Sequence, residues 1–157
     1  MVDNINIILQ HIKTNYPYIS YKKSEKSYWD PEIKTIYHNP KKELADVTFL
    51  HELGHAICEH KQYKYDTDLL KMELEAWQKA RKISKKVRIK LDNNYIEDCM
   101  DSYRNWLHSR SKCPECSQNS LQNSKLEYVC LNCGCIWQTS RERFCRTYRK
   151  KLAPKKS

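Results

Sequence analysis

The sequence predicts an α+β chain: a mainly helical first part with one short sheet, followed by a small module stapled through cysteine pairs. Three observations predict it. Leu69, Met72, Ala76, Ala80, Ile83 and Val87 recur at helical spacing. Short runs rich in Tyr, Ile and Trp between residues 18 and 38 read as strands. Cys113-Pro114-Glu115-Cys116 and Cys130-Leu131-Asn132-Cys133 form two C-x-x-C pairs near the far end. The expected division is residues 1–109 from residues 110–157. The chain has 157 residues, only 2 glycines and 31% charged side chains, so its apolar core must be concentrated in the helices and the sheet.

Taken in order, residues 5–14 read as a helix with Ile5, Ile8, Leu9 and Ile12 turned inward. Residues 18–29 hold strand formers interrupted by the polar turn Lys22-Lys23-Ser24-Glu25-Lys26-Ser27. Residues 33–38 form another strand, ended by Asn39-Pro40. Pro40 then marks the start of a helix whose run 43–50 lacks Gly and Pro. Leu44, Val47, His51, Gly54 and Cys58 share one face of it. Residues 68–87 and 93–108 are two further helices, the second carrying Tyr95, Ile96, Cys99, Tyr103, Trp106 and Leu107. Residues 109–112 read as a linker. Beyond it, Gln118-Asn119-Ser120 is turn-like, and Leu126, Tyr128 and Val129 are strand formers.

The chemistry concentrates in His51-Glu52-Leu53-Gly54-His55. Two histidines four residues apart on a helix face one point, and the intervening Glu reaches a metal-bound water without becoming a ligand. The pattern supplies two zinc ligands, His51 and His55, and a general base, Glu52. Gly54 removes a side chain beside them, so another backbone or a ligand can approach closely. A catalytic zinc wants a third protein ligand. Glu73 and Glu75 compete for that place. Glu73 lies on the edge of the apolar stripe, so the helical face favours it; Glu75 falls on the far side, where it would be solvated and could pair with Lys79. His60 reads as a surface residue at the helix end.

With Glu73-Leu74-Glu75-Ala76-Trp77 following His51-Glu52-Leu53-Gly54-His55, residues 1–90 resemble the ImmA/IrrE family of zinc metallopeptidases, within the gluzincin group. In that family the first Glu of an E-x-x-A run is the third ligand, which implies Glu73. The resemblance implies a zinc endopeptidase acting on a protein substrate, with a sheet edge lining the cleft. Trp77 stands where that family commonly has Asn or Asp, and its Leu-Leu-Met-Pro-like helix ending is replaced by Ile83-Ser84-Lys85-Lys86-Val87. For the oxyanion, the residues offer Tyr63, Tyr65 and His60 without a choice between them.

Cys113, Cys116, Cys130 and Cys133 have the spacing of a four-cysteine zinc ribbon, a closed and therefore structural site. Gly134 follows the second pair, where a tight knuckle needs a positive φ. Cys135 could replace Cys133 but matches the first pair less well. Cys58, Cys99, Cys135 and Cys145 read as structural thiols. The expected cofactors are thus two zinc ions, one catalytic and one structural. The start Met1-Val2-Asp3-Asn4 has no basic leader pattern, and no run of about 18 apolar residues occurs. Metal knuckles in such a chain favour a reducing, cytoplasmic setting over a disulfide scaffold, with no membrane partner.

The formal net charge is +10. Residues 110–157 hold 11 Lys and Arg against 3 Asp and Glu, a net +8, whereas residues 1–60 hold 7 against 8. Lys79, Lys82, Lys86 and Lys90 stack on one face of the third helix and its continuation. Arg141, Arg143, Arg146, Arg149, Lys150 and Lys151 form a denser tail with Phe144 and Tyr148 between them. Such a tail is either a solvated terminus or a nucleic-acid contact. Three functions follow: a protein-cutting zinc peptidase with a ribbon for nucleic-acid or protein docking; a protease acting on DNA-bound proteins, similar to the SprT/Spartan group, which also joins H-E-x-x-H to a zinc ribbon but takes a third histidine downstream, a setting His108 lacks; or a non-catalytic nucleic-acid-binding regulator on a peptidase scaffold.

Overall fold

The computed structural model describes residues 3–124, 126–144 and 146–153. Cys145 lies outside them. Among the described residues there are four helices and two small sheets, a mixed architecture consistent with α+β. The chain divides into two compact units, residues 1–62 with 71–96, and residues 63–70 with 97–157. The expected boundary at 109/110 falls instead within a helix.

The first unit opens with α1 (Asn4–Asn15), capped by Asp3, whose carboxylate accepts from the Ile5 amide at 3.0 Å. Ile8 and Ile12 are fully buried on its inner face, while Ile5 and Leu9 are only partly covered. Three strands follow, β1 (Ser20–Lys23), β2 (Tyr28–Asp30) and β3 (Thr35–His38). They form a sheet in the order β1-β3-β2, with β1 parallel and β2 antiparallel to the central β3. Tyr28 and Tyr37 are register partners and stack at 4.6 Å. β3 is the buried strand, with Thr35, Ile36 and His38 all covered. His38 lies flat on Phe49 of α2 (Ala45–Ile57), ring centroids 4.6 Å apart.

α2 begins at Ala45, later than Pro40 suggests. Leu44, at its N-cap, adopts a left-handed φ of 56°. A chain turned through that conformation cannot be part of a helix. Its inner side buries Phe49, Leu50 and Leu53 completely, each stabilising by roughly 1.5–3 kcal/mol. α3 (Asp66–Val87) places Ala76, Trp77, Ala80 and Ile83 in the core; Leu69, Met72 and Val87 of the expected stripe are half-buried. α3 stops at Val87 because Arg88 takes φ 58°. Lys90 therefore does not continue the row of Lys79, Lys82 and Lys86.

α4 (Asn93–Ser111) runs through the segment expected to be a linker. In the second unit its last turn is anchored rather than loose. Arg110 is 1% exposed and its Nε donates to Asp66 Oδ2 at 2.6 Å. Tyr128 Oη donates to the same carboxylate oxygen at 2.7 Å. Trp137 Nε1 donates to the Arg110 carbonyl at 2.9 Å, and the Arg110 guanidinium also reaches the Ser140 carbonyl. A buried ion pair of this kind is tolerable only when both partners find such additional hydrogen bonds.

The second sheet is an antiparallel meander of β4 (Leu121–Ser124), β5 (Glu127–Val129), β6 (Ile136–Thr139) and β7 (Arg149–Lys151) in that order. Tyr128 and Trp137 stack across β5 and β6 at 5.6 Å and form the module's core with Cys113 and Cys130. The basic tail is not free: Arg149, Lys150 and Lys151 are β7, paired with Thr139, Gln138 and Trp137. Among the described residues no helix is long and apolar enough to cross a membrane.

Candidate metal centre

Helical geometry brings His51 and His55 to one point. Their Nε2 atoms are 3.1 Å apart. Glu73 of α3 completes a triangle, with Oε2 3.0 Å from His51 Nε2 and Oε1 3.3 Å from His55 Nε2. A tetrahedral ion with bonds of about 2.0–2.1 Å holds its ligand atoms roughly 3.3 Å apart. Two nitrogens and a carboxylate that sets one oxygen near each are compatible with zinc, and the three residues could hold a metal ion. Burial opposes ionisation of Glu73, but hydrogen bonds and the charges of His51 and His55 outweigh it and hold the carboxyl well below the usual carboxylate range.

What allows α3 so close is Gly54. A Cβ there would stand on the Ala76 carbonyl oxygen and come within 2.9 Å of its carbon. The Gly54–Ala76 crossing thus seats Glu73, one turn before Ala76, over both imidazoles. Glu52 points to the side of β2, an edge strand of its sheet, and accepts a backbone hydrogen bond from Trp29. Burial pushes its carboxyl up to about 7, with Glu73 adding to the rise and His55 opposing it. A dication beside it would draw that value down.

The two histidines are held by different means. His51 stacks on Trp77, ring centroids 4.2 Å apart, and its Nδ1 has no hydrogen-bond partner among the described residues. His55 Nδ1 instead meets His60 Nδ1 at 2.8 Å, and His60 Nε2 meets Glu75 Oε2 at 3.0 Å. His60 is therefore buried, 9% exposed, not the surface residue expected. Burial, outweighing the hydrogen bond to Glu75, lowers its pKa. Glu75 is not a ligand atom of the cluster; it pairs with His60 and lies 3.9 Å from Lys71 rather than against Lys79.

The spacing of His60 has a local cause. Glu59 takes φ 53°; its amide bonds to Ala56 O at 3.1 Å, and the His60 amide bonds to His55 O at 3.1 Å. This paired closure is a Schellman motif, which folds the second residue past the helix back over its last turn. The usual signal is Gly at the left-handed position, and Glu59 hides it. Trp29 Nε1 pins the His60 carbonyl at 3.0 Å. Of the other oxyanion candidates, Tyr63 and Tyr65 belong to the second unit.

The cysteine cluster is built from two equivalent knuckles. Ser117 N bonds to Cys113 O and Gly134 N to Cys130 O, both at 3.0 Å. Cys113 N bonds to Gln118 O and Cys130 N to Cys135 O, both at 2.8 Å. Each knuckle turns at a positive φ, 64° at Ser117 and 74° at Gly134. The sulfurs of Cys113 and Cys133 are 3.6 Å apart and those of Cys116 and Cys130 3.5 Å. Zinc–sulfur bonds of about 2.3 Å require roughly 3.8 Å, so the cluster is compatible with a zinc ribbon. The Ser120 hydroxyl and the amides of Cys133 and Asn132 draw the Cys130 thiol below its ordinary value. Cys135 packs beside the cluster without joining it. Cys58 and Cys99 are half-buried free thiols.

His108 is absent from both clusters; Asn119 reaches its ring and its carbonyl. A cleft of about 710 Å³ beside α1 is lined by neither His51, His55 nor Glu73. Comparison with protein-family models, curated proteins and solved structures returned no match.

Proposed function

We propose that the chain is a zinc-dependent metallopeptidase that hydrolyses peptide bonds in a protein substrate, in keeping with its resemblance to the ImmA/IrrE family. The observation that carries the reading is the triangle of His51, His55 and Glu73, closed at 3.0–3.3 Å, with Glu52 on the same helix as the two histidines. His51, His55 and Glu73 would hold zinc, which would supply Lewis acidity toward a carbonyl and toward water. Glu52 takes the proton from the attacking water and returns it to the leaving amine. The exposed edge of β2 offers main-chain groups to an extended peptide by strand addition. Cys113, Cys116, Cys130 and Cys133 would hold a second zinc, in a structural role.

Docking falls to the second unit. A cleft of about 360 Å³ is lined by His108, Ser109, Lys112, Arg146, Thr147 and Arg149, with no carboxylate among them. Phe144, 90% exposed, stacks with Arg143 4.1 Å above its ring. Cations beside an exposed ring suit phosphate contact and base stacking, so nucleic acid is the partner favoured here.

The test is cleavage of a mixed peptide library by the zinc-loaded full chain, read by mass spectrometry. Glu52→Gln should keep both zinc equivalents and lose all cleavage. Cleavage undiminished in Glu52→Gln would overturn the mechanism. A wild type inert toward the library that still binds single-stranded DNA, with Lys112→Glu and Arg146→Glu abolishing that binding, would favour the non-catalytic regulator.

A further inference from the structure

We infer that Glu75 and His60 form a buried relay that orients His55 and raises the affinity of the His51–His55–Glu73 site for zinc; this rests on the metal reading above. Binding of zinc through His55 Nε2 would fix every proton. His55 offers Nε2 to the triangle, so as a neutral ligand it carries its proton on Nδ1. That Nδ1–H points at His60 Nδ1, 2.8 Å away, which must therefore accept. His60 then holds its own proton on Nε2, 3.0 Å from Glu75 Oε2. Donor faces acceptor at each step only in this arrangement. The chain runs from a half-exposed carboxylate, through one buried imidazole, to a ligand imidazole.

The relay is held from several directions. The Schellman closure at Glu59 sets His60 against His55, and the Trp29 indole fixes the His60 carbonyl. Glu73 and Glu75 stand on the same stretch of α3. The helix that supplies the third ligand thus also supplies the carboxylate behind the second. His51 has no such support and rests on the Trp77 ring. His60 and Glu75 are positioning residues in this scheme, since neither reaches the site itself.

The experiment is zinc affinity by chelator competition on the full chain with the cysteine site already loaded. His60→Leu keeps side-chain volume without a ring nitrogen and should weaken binding at the His/Glu site about 10–100-fold. Glu75→Gln should weaken it about tenfold, and His60→Gln, whose amide can both accept and donate, should lose less than His60→Leu. Lys79→Ala should match the wild type. Nitrogen-15 NMR of the zinc-loaded wild type should find the His60 proton on Nε2, a readout that packing alone does not set. Wild-type affinity in both His60→Leu and Glu75→Gln, or a His60 proton on Nδ1, overturns the relay while leaving the metal site standing. A wild type that takes no zinc at His51, His55 and Glu73 overturns both.

Discussion

Gly54 of α2 faces the backbone of Ala76 of α3 with no room for a single added carbon. The catalytic proposal depends on that closeness, because it sets the height of Glu73 above the histidines. In an exposed helix, Gly→Ala would stabilise by roughly 1 kcal/mol. Here the sign reverses. Gly54→Ala should destabilise the protein by about 1–3 kcal/mol through overpacking against main chain that cannot swing aside. Urea denaturation measures the loss, and zinc content should fall at the His/Glu site.

The two metal clusters share no residue. Purified chain should carry two zinc ions, Glu73→Ala one, and Cys113→Ser one, with the double variant empty. Elemental analysis after dialysis decides it; a wild type with a single zinc would remove one of the two assignments.

Arg110 and Asp66 are a buried pair whose separation would strand a charge. Arg110→Ala should cost about 3–5 kcal/mol, more than expected of a linker residue, and should expose Trp137 to quenchers. Arg104→Ala, on the exposed surface against Glu97 and Asp101, should leave the denaturation midpoint close to that of the wild type, because exposed ion pairs are screened by solvent.

His38 supplies a pH dependence away from the metal ligands. Burial first, and the charge of Lys23 second, lower its pKa in the folded protein. Above pH 6.5 the ring is neutral in both states and carries no penalty. Below it the unfolded chain gains a proton that the folded chain refuses, so stability falls by up to about 1.4 kcal/mol per pH unit. His38→Phe should flatten the denaturation midpoint between pH 7.5 and 5.5. An unchanged slope would show that His38 does not titrate in this way.

Much of the site is legible in the sequence because helical rotation alone aims His51, His55 and Glu73, and knuckle spacing alone gathers four cysteines. What was not legible depends on backbone turns that glycine usually announces. With 2 glycines in the chain, left-handed positions other than Gly134 fall, among the described residues, to Lys34, Leu44, Glu59, Arg88 and Ser117. Leu44 therefore hid the true start of α2, Arg88 the end of α3, and Glu59 the return of His60 against His55. Arg110 was missed for another reason. Its burial comes from Asp66 and Tyr128, distant in sequence, and nothing local distinguishes Ser-Arg-Ser-Lys from a solvated connector. The one available hint was the absence of Gly and Pro between residues 93 and 113, which permits α4 to run on.

The outermost strand of the second sheet is Arg149–Lys151, three successive cations, all exposed. Open strand borders invite identical chains to zip together. Two such borders brought face to face would oppose like charges, so this edge disfavours pairing with its own copy until salt or a polyanion neutralises it.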